Sequence, residues 1–289
     1  MNQSRAAISR KGSEWGDRLF LIIGRSSTLM SILFMALLLA GAIGAPFVAR
    51  YSPYEMIIGS ELLPPSLDHP FGTDEYGRDL LSRTLFGLRV SFVAAGSSTL
   101  LAGAIGVALG LIAGYCAGLL DTIIMRIVDG LLAIPALLMG FAIVAILGPG
   151  LSNVTITLAI IQLPVFARLA RGTTLAEKQK EYVTAAVAIG ASPVRVMTRH
   201  ILLNCMPSLL VQAALALGFS VLIEASLSFL GLGIKPPEPS LGSILDASRS
   251  KMRHALWYPL FPGVTLTLLL FALNGLADML NDTLISHHR

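Results

Sequence analysis

Long apolar runs separated by short polar breaks dominate this chain. A helix needs about 20 consecutive apolar residues to cross the hydrocarbon core of a bilayer. Six stretches meet or approach that length: 28–49, 91–114, 123–147, 153–167, 205–230 and 261–280. The fourth is the weakest, being short and carrying Gln162 and Pro164. The pattern predicts an all-α polytopic membrane protein with about six transmembrane helices. Arg18 and Arg25 before the first run, and small residues after Gly41, imitate a secretory signal. The run exceeds the roughly 7–15 residues of a signal-peptide core, so an uncleaved anchor is expected.

The polar breaks divide the chain into a tail (1–27), a first span with a long loop (28–90), a transmembrane domain (91–285) and a last tail (286–289). Within the domain lies a polar loop at about 168–204. Short loops rich in Lys and Arg stay in the cytoplasm. The first tail carries Arg5, Arg10, Lys11, Arg18 and Arg25; the polar loop carries Arg168, Arg171, Lys178, Lys180, Arg195 and Arg199 against Glu177 and Glu181. Six spans put both tails and this loop on one side, which the charges predict to be cytoplasmic. The 51–89 loop then lies outside, where its acids outnumber its bases. The 231–259 loop runs against the rule: Lys235, Arg249, Lys251 and Arg253 exceed Glu238 and Asp246.

Composition agrees with the membrane class: 54% of residues are hydrophobic and 13% charged. The net charge of +4 gives no reason to expect nucleic acid. Cys116 and Cys205 have neither pairing pattern nor metal spacing, and predict packing roles. No Gly-x-x-x-x-Gly-Lys-[Ser/Thr] occurs, so this chain has no Walker-type phosphate cradle. His-Glu-x-x-His and Gly-x-Ser-x-Gly are also missing, and His287-His288 alone makes a poor metal site. No cofactor, metal or enzymatic constellation is expected.

The polar loop holds the sequence's main functional signal. From Glu177 to Ser192, helix formers lead to Gly190, a residue suited to ending a helix in the left-handed conformation. Pro193 suits the first turn of a restarting helix. A short helix, a corner and a second helix leading into the fifth span are predicted. On local features, a solvated basic loop and a docking helix are both open. The block Glu181-Tyr182-Val183-Thr184-Ala185-Ala186-Val187-Ala188-Ile189-Gly190-Ala191-Ser192 resembles the cytoplasmic coupling motif of ABC importer permeases. In that family, Glu-Ala-Ala is followed three residues later by Gly, and later by Ile-Leu-Pro. Here Thr184 stands at the Glu position, Ala185, Ala186 and Gly190 match, and Leu203 stands where Pro is usual.

Two more blocks narrow the resemblance. His69-Pro70-Phe71-Gly72-Thr73-Asp74-Glu75-Tyr76-Gly77-Arg78-Asp79-Leu80-Leu81-Ser82-Arg83 is similar to a block of the second permease in dipeptide, oligopeptide and nickel ABC importers. On spacing alone, Asp79 and Arg83 suit an i,i+4 pair. The run from Glu224 to Pro239 is also similar, and its glycines and prolines predict an extended loop after the fifth span. Asp121 to Asp129 resembles the entry to the third span, with Asp121, Arg126 and Asp129 expected to pair at the inner surface. The matches cover about 71–282.

The resemblance implies a cytoplasmic coupling helix with Glu181, Thr184, Ala185, Ala186, Gly190 and Ser192 at the ATPase contact. It also implies a second homologous permease subunit, two cytoplasmic ABC ATPase subunits and an extracytoplasmic solute-binding protein. Peptide is the first solute choice, with nickel the alternative. Glu224 is ionisable at membrane depth, which marks a pathway residue, a bond to a neighbouring helix, or a position near the outer interface that reaches water. Asn274 and Asp278 call for the same comparison, and Gln162 with Pro164 marks an opening beside the path or polar glue. A self-sufficient secondary transporter is the rival reading, but no internal repeat supports it.

Overall fold

The computed structural model describes residues 29–284. The tails (1–27 and 286–289), with the basic N-terminal cluster and His287-His288, lie outside them. Ten helices are found among the described residues: α1 (Leu29–Val48), α2 (Leu80–Cys116), α3 (Gly118–Leu132), α4 (Ala136–Leu147), α5 (Leu151–Lys178), α6 (Glu181–Ala188), α7 (Pro193–Arg195), α8 (Leu202–Phe229), α9 (Leu241–Ser248) and α10 (Trp257–Leu284). A π-helical turn (Val196–Ile201) joins α7 to α8. The only extended pairing among the described residues is a bridge between Thr73 and Asp79.

Five of the expected spans are single helices, but the third is broken. α3 and α4 meet at 93° around Ala133, Ile134 and Pro135. Proline lacks an N–H and disfavours helical backbone in the residue before it, so a helix interrupted here is the physical outcome. One continuous helix over 123–147 is therefore corrected to two.

The weakest span in the pattern is the most enclosed. The apolar window of α5 is 61% buried, against 22–39% for the other single-helix spans. A helix surrounded by protein does not need lipophilic side chains on every face. It accommodates Gln162, whose Nε2 donates to the Ala216 carbonyl at 2.9 Å. Its closest neighbour is α2, through Gly106, Gly110 and Gly114. A Cβ on these residues would fall 2.6 Å from Leu163 O, 2.3 Å from Ala167 O and 2.8 Å from Thr174 Cβ. Spacing by four puts all three glycines on one helix face, where backbones can approach closely.

The direction of that contact decides the crossings. Residue numbers rise together along α2 and α5, so the two helices are parallel, and α3 with α4 must carry the chain back across between them. α8 runs antiparallel to α2, with Ser91 on Glu224 and Ser98 on Ser220. α1 runs antiparallel to α10, with Ser31 at Gly275 and Phe34 at Phe271. Leu29 and Leu284 thus lie at the membrane end that holds α6.

The loop before α2 is a built cap at the opposite end. Asp74 accepts from Arg78 Nε at 2.6 Å and from the N–H groups of Tyr76 and Arg78. Phe71 stacks on Phe261, and Tyr258 donates a hydrogen bond to Glu75. The expected Asp79–Arg83 pair is corrected. Asp79 is the N-cap of α2, accepting from Ser82 N–H at 2.8 Å and pairing with His69 Nδ1 at 3.0 Å. Its carboxylate is turned back over the helix start, so Arg83 meets Asp74 and donates to Pro53 O. The 231–259 loop is not wholly extended either. Ser240 and Ser243 form a reciprocal cap that starts α9.

Candidate functional site

Two features compete for function: the loop around α6 and a cavity at mid-span. In the loop, α5 ends at Lys178 and α6 follows after a two-residue break. Val183 and Ala186 are the buried face of α6, and Val183 is inserted into a cluster with Leu111, Ala170, Val196, Ile201 and Cys205. One short helix is thereby clamped against α2, α5 and the start of α8. Polar bonds add to the clamp. Glu177 accepts from Tyr182 Oη at 2.6 Å and pairs with Lys180 at 2.7 Å, while Lys178 Nζ donates to Tyr115 O at 2.6 Å. Burial pushes the Tyr182 phenol above its ordinary value, and the bond to the Glu177 carboxylate pushes it further. It stays a protonated donor.

The corner beyond α6 is fixed by the backbone. Ala191 N–H reaches Ala186 O, and Gly190 N–H reaches Val187 O, both at 3.0 Å. These are the two bonds of a Schellman ending, and Gly190 supplies its left-handed residue at φ +86°. The side-chain oxygen of Ser192 accepts from Arg195 N–H at 3.4 Å, and Pro193 opens the next helix.

Of the six residues expected at the coupling contact, Glu181, Thr184, Ala185, Gly190 and Ser192 are exposed and Ala186 is buried. The exposed surface also carries Val187, Val194 and Ile189, the last 87% exposed. Sequence reading passed over these three. No sequence signal singled them out: Val187 lies four residues after buried Val183, so helical spacing alone would put it on the buried face.

Asp121 and Asp129 of α3 meet Arg171 and Arg168 of α5. Arg171 grips Asp121 through two bonds of 2.5 and 2.7 Å, and Arg168 Nη2 lies 2.5 Å from Asp129. Arg126 takes part in neither pair.

The second feature is a cavity of about 620 Å³ at the α3–α4 break, walled by Pro135, Met139, Gln162, Gln212, Phe219 and Asn274 among others. Glu224 is not among its lining residues. That side chain is fully buried elsewhere on α8, accepting from Ser91 Oγ at 2.9 Å and Ser228 Oγ at 2.8 Å. Ser240, the first cap of α9, is a further neighbour. Glu224 lies roughly 33 Å along α8 from Leu202, at 1.5 Å per residue, so it and the α6 corner occupy opposite ends of the molecule.

Residues 106–286 match the family described as the binding-protein-dependent transport system inner membrane component. The chain is 42% identical over 262 residues to the di/tripeptide transport system permease protein DppC of Pseudomonas aeruginosa, spanning 89% of this chain and 86% of that protein. It is 39% identical to the probable D,D-dipeptide transport system permease protein DdpC of Escherichia coli, over 92% of this chain and 89% of that one. The glutathione transport system permease protein GsiD of Pectobacterium atrosepticum is 42% identical, over 87% and 84%. The fold is similar to a chain of the MetNI methionine ABC transporter in an inward-facing conformation, with TM-score 0.58 and 19% identity over 70% of this chain and 96% of that one. On the family match and these relatives together, this chain belongs to the binding-protein-dependent transport permeases, as an integral inner-membrane component of an ABC importer that works with an ATPase and a substrate-binding protein.

Proposed function

We propose that this chain is one of two permease subunits of a peptide importer. A second, homologous permease completes the translocation path. Two cytoplasmic ATPase subunits each engage one coupling loop, and an extracytoplasmic binding protein delivers the peptide. Both ends of the chain then lie in the cytoplasm with α6. Peptide is the solute because relatives named for di- and tripeptide transport align along most of the chain. ATP is hydrolysed by the partners.

The observation that carries the coupling role is the build of α6: a helix pinned by Val183 and Ala186, stopped by Gly190, and presenting Thr184, Ala185, Val187 and Ile189 outward. A pinned helix transmits displacement to α5 and α8, between which it lies. When ATP binding draws the ATPases together, the coupling helices follow and the inward-open state gives way to the outward-open one. The shift is as large as the difference in ATPase affinity for the two states. Glu224 is assigned to holding α9 against α2 and α8, not to lining the path.

The test is uptake of labelled dipeptide and of labelled nickel in cells lacking this gene, complemented with wild type or Ile189→Asp. Wild type should restore peptide uptake alone. Ile189→Asp, at normal membrane levels, should restore little, since a charge replaces an apolar anchor. Nickel uptake in place of peptide would overturn the solute, and full activity of Ile189→Asp would overturn the contact surface.

A further inference from the structure

The mid-span cavity brings together three neutral amides from three helices: Gln162 of α5, Gln212 of α8 and Asn274 of α10. Gln162 spends its N–H groups on Ala216 O and Ser220 Oγ. Gln212 and Asn274 have no hydrogen-bond partner among the described residues, and neither is buried. An amide held in hydrocarbon without a partner is strongly disfavoured. Lipid tails offer no partner, so these two side chains fit a cavity that takes up a polar guest. The remaining lining is apolar, with Met139, Leu215, Phe219 and Leu270 prominent, and carries no charged residue. About 620 Å³ falls within the roughly 300–1,000 Å³ of pockets that hold small organic molecules.

We propose that this cavity is the chain's contact with the travelling solute, and that Gln212 and Asn274 read the peptide bond. The inference rests on the peptide-permease reading, with the second permease closing the open side. A primary amide offers both donor and acceptor, matching the C=O and N–H of a peptide unit. Apolar walls take peptide side chains without selecting among them. A wall without formal charge holds neither terminus strongly, which suits a site that must release its cargo. A bare divalent metal fits poorly: neutral amides and one thioether stand where carboxylate, imidazole or thiolate would be needed, and no cluster of three such ligands occurs among the described residues.

The experiment uses the complete transporter in proteoliposomes with saturating, preloaded binding protein, so that selection by that protein drops out. Uptake of a dipeptide is compared with uptake of its ester isostere, which lacks the N–H. Wild type should move the dipeptide faster, by roughly three- to tenfold, the range for one net hydrogen bond. Gln212→Leu with Asn274→Leu should slow the dipeptide and bring the ratio near one. An unchanged ratio in that variant overturns the cavity assignment alone. No uptake of either compound by wild type overturns the peptide reading, and the solute proposed for this cavity with it. If the double variant fails to assemble, a diazirine-bearing dipeptide on the wild-type complex decides. Crosslinks to 212–222 of α8 support the site, and crosslinks confined elsewhere refute it.

Discussion

Gly190 carries no side chain, yet its position sets where the surface of α6 ends. Space is not the constraint, since a Cβ there would meet nothing within 4 Å. The constraint is φ of +86°, which costs an L-residue roughly 1–2 kcal/mol and a β-branched one more. Gly190→Asn should therefore keep most peptide uptake, because asparagine tolerates this conformation, and Gly190→Val should lose most of it. Equal uptake by the two variants would show that contact, not backbone, governs the position. Glu224 poses the opposite case, a side chain with no freedom. Its removal leaves the Ser91 hydroxyl without its acceptor and Ser228 with only the bond it accepts from Ile234 N–H. Glu224→Leu should lower stability by about 1–3 kcal/mol. Glu224→Gln should stay close to wild type, because a hydroxyl can donate or accept and an amide can bond both serines. Thermal unfolding in lipid nanodiscs separates these outcomes. Equal melting of the Leu and Gln forms would remove the polar tie.

Helix pairs explain which parts of the fold were legible in the sequence. Apolar length located α1, α2, α5, α8 and α10, because lipid imposes that requirement on one helix at a time. The break between α3 and α4 followed from Pro135, but averaging hydropathy over 123–147 concealed it. Short α9, set in a loop of prolines and glycines, depends on a reciprocal serine cap too local for any apolar pattern to reveal. At the candidate site, the helix–glycine–helix plan could be read from Gly190 and Pro193. The burial of Ala186 and exposure of Ile189 could not, because they depend on the neighbours α6 meets in space. The glycine stripe of α2 is similarly a property of a pair. Gly110→Ala should destabilise by about 1–3 kcal/mol through overpacking, since its Cβ would lie 2.3 Å from Ala167 O. Gly96 faces open space, and Gly96→Ala should be neutral or stabilising by about 0.5–1 kcal/mol from helix propensity. Unfolding midpoints in nanodiscs that fell equally for both would show that the α2–α5 contact is not the cause.

The whole molecule is ordered by parity. Parallel α2 and α5 require an odd number of crossings between them, which the bent α3–α4 pair supplies. Six crossings then bring the two ends of the described chain together, with Ser31 against Gly275 at the end bearing α6. The 50–79 cap and α9 belong to the other face, and this pairing holds whichever face is cytoplasmic. The charges choose between the two: the 168–204 loop is rich in Arg and Lys, while the cationic 231–259 loop pulls the other way and loses on total. A reporter active only in the cytoplasm should therefore work when fused after Arg289 and fail when inserted near Ser66, on the far face. Inactivity after Arg289 with activity near Ser66 would invert the protein in the membrane, put α6 beyond reach of any cytoplasmic ATPase, and end the coupling role. Activity at both positions would mean an even number of crossings between them, and the parity drawn from α2 and α5 would be wrong.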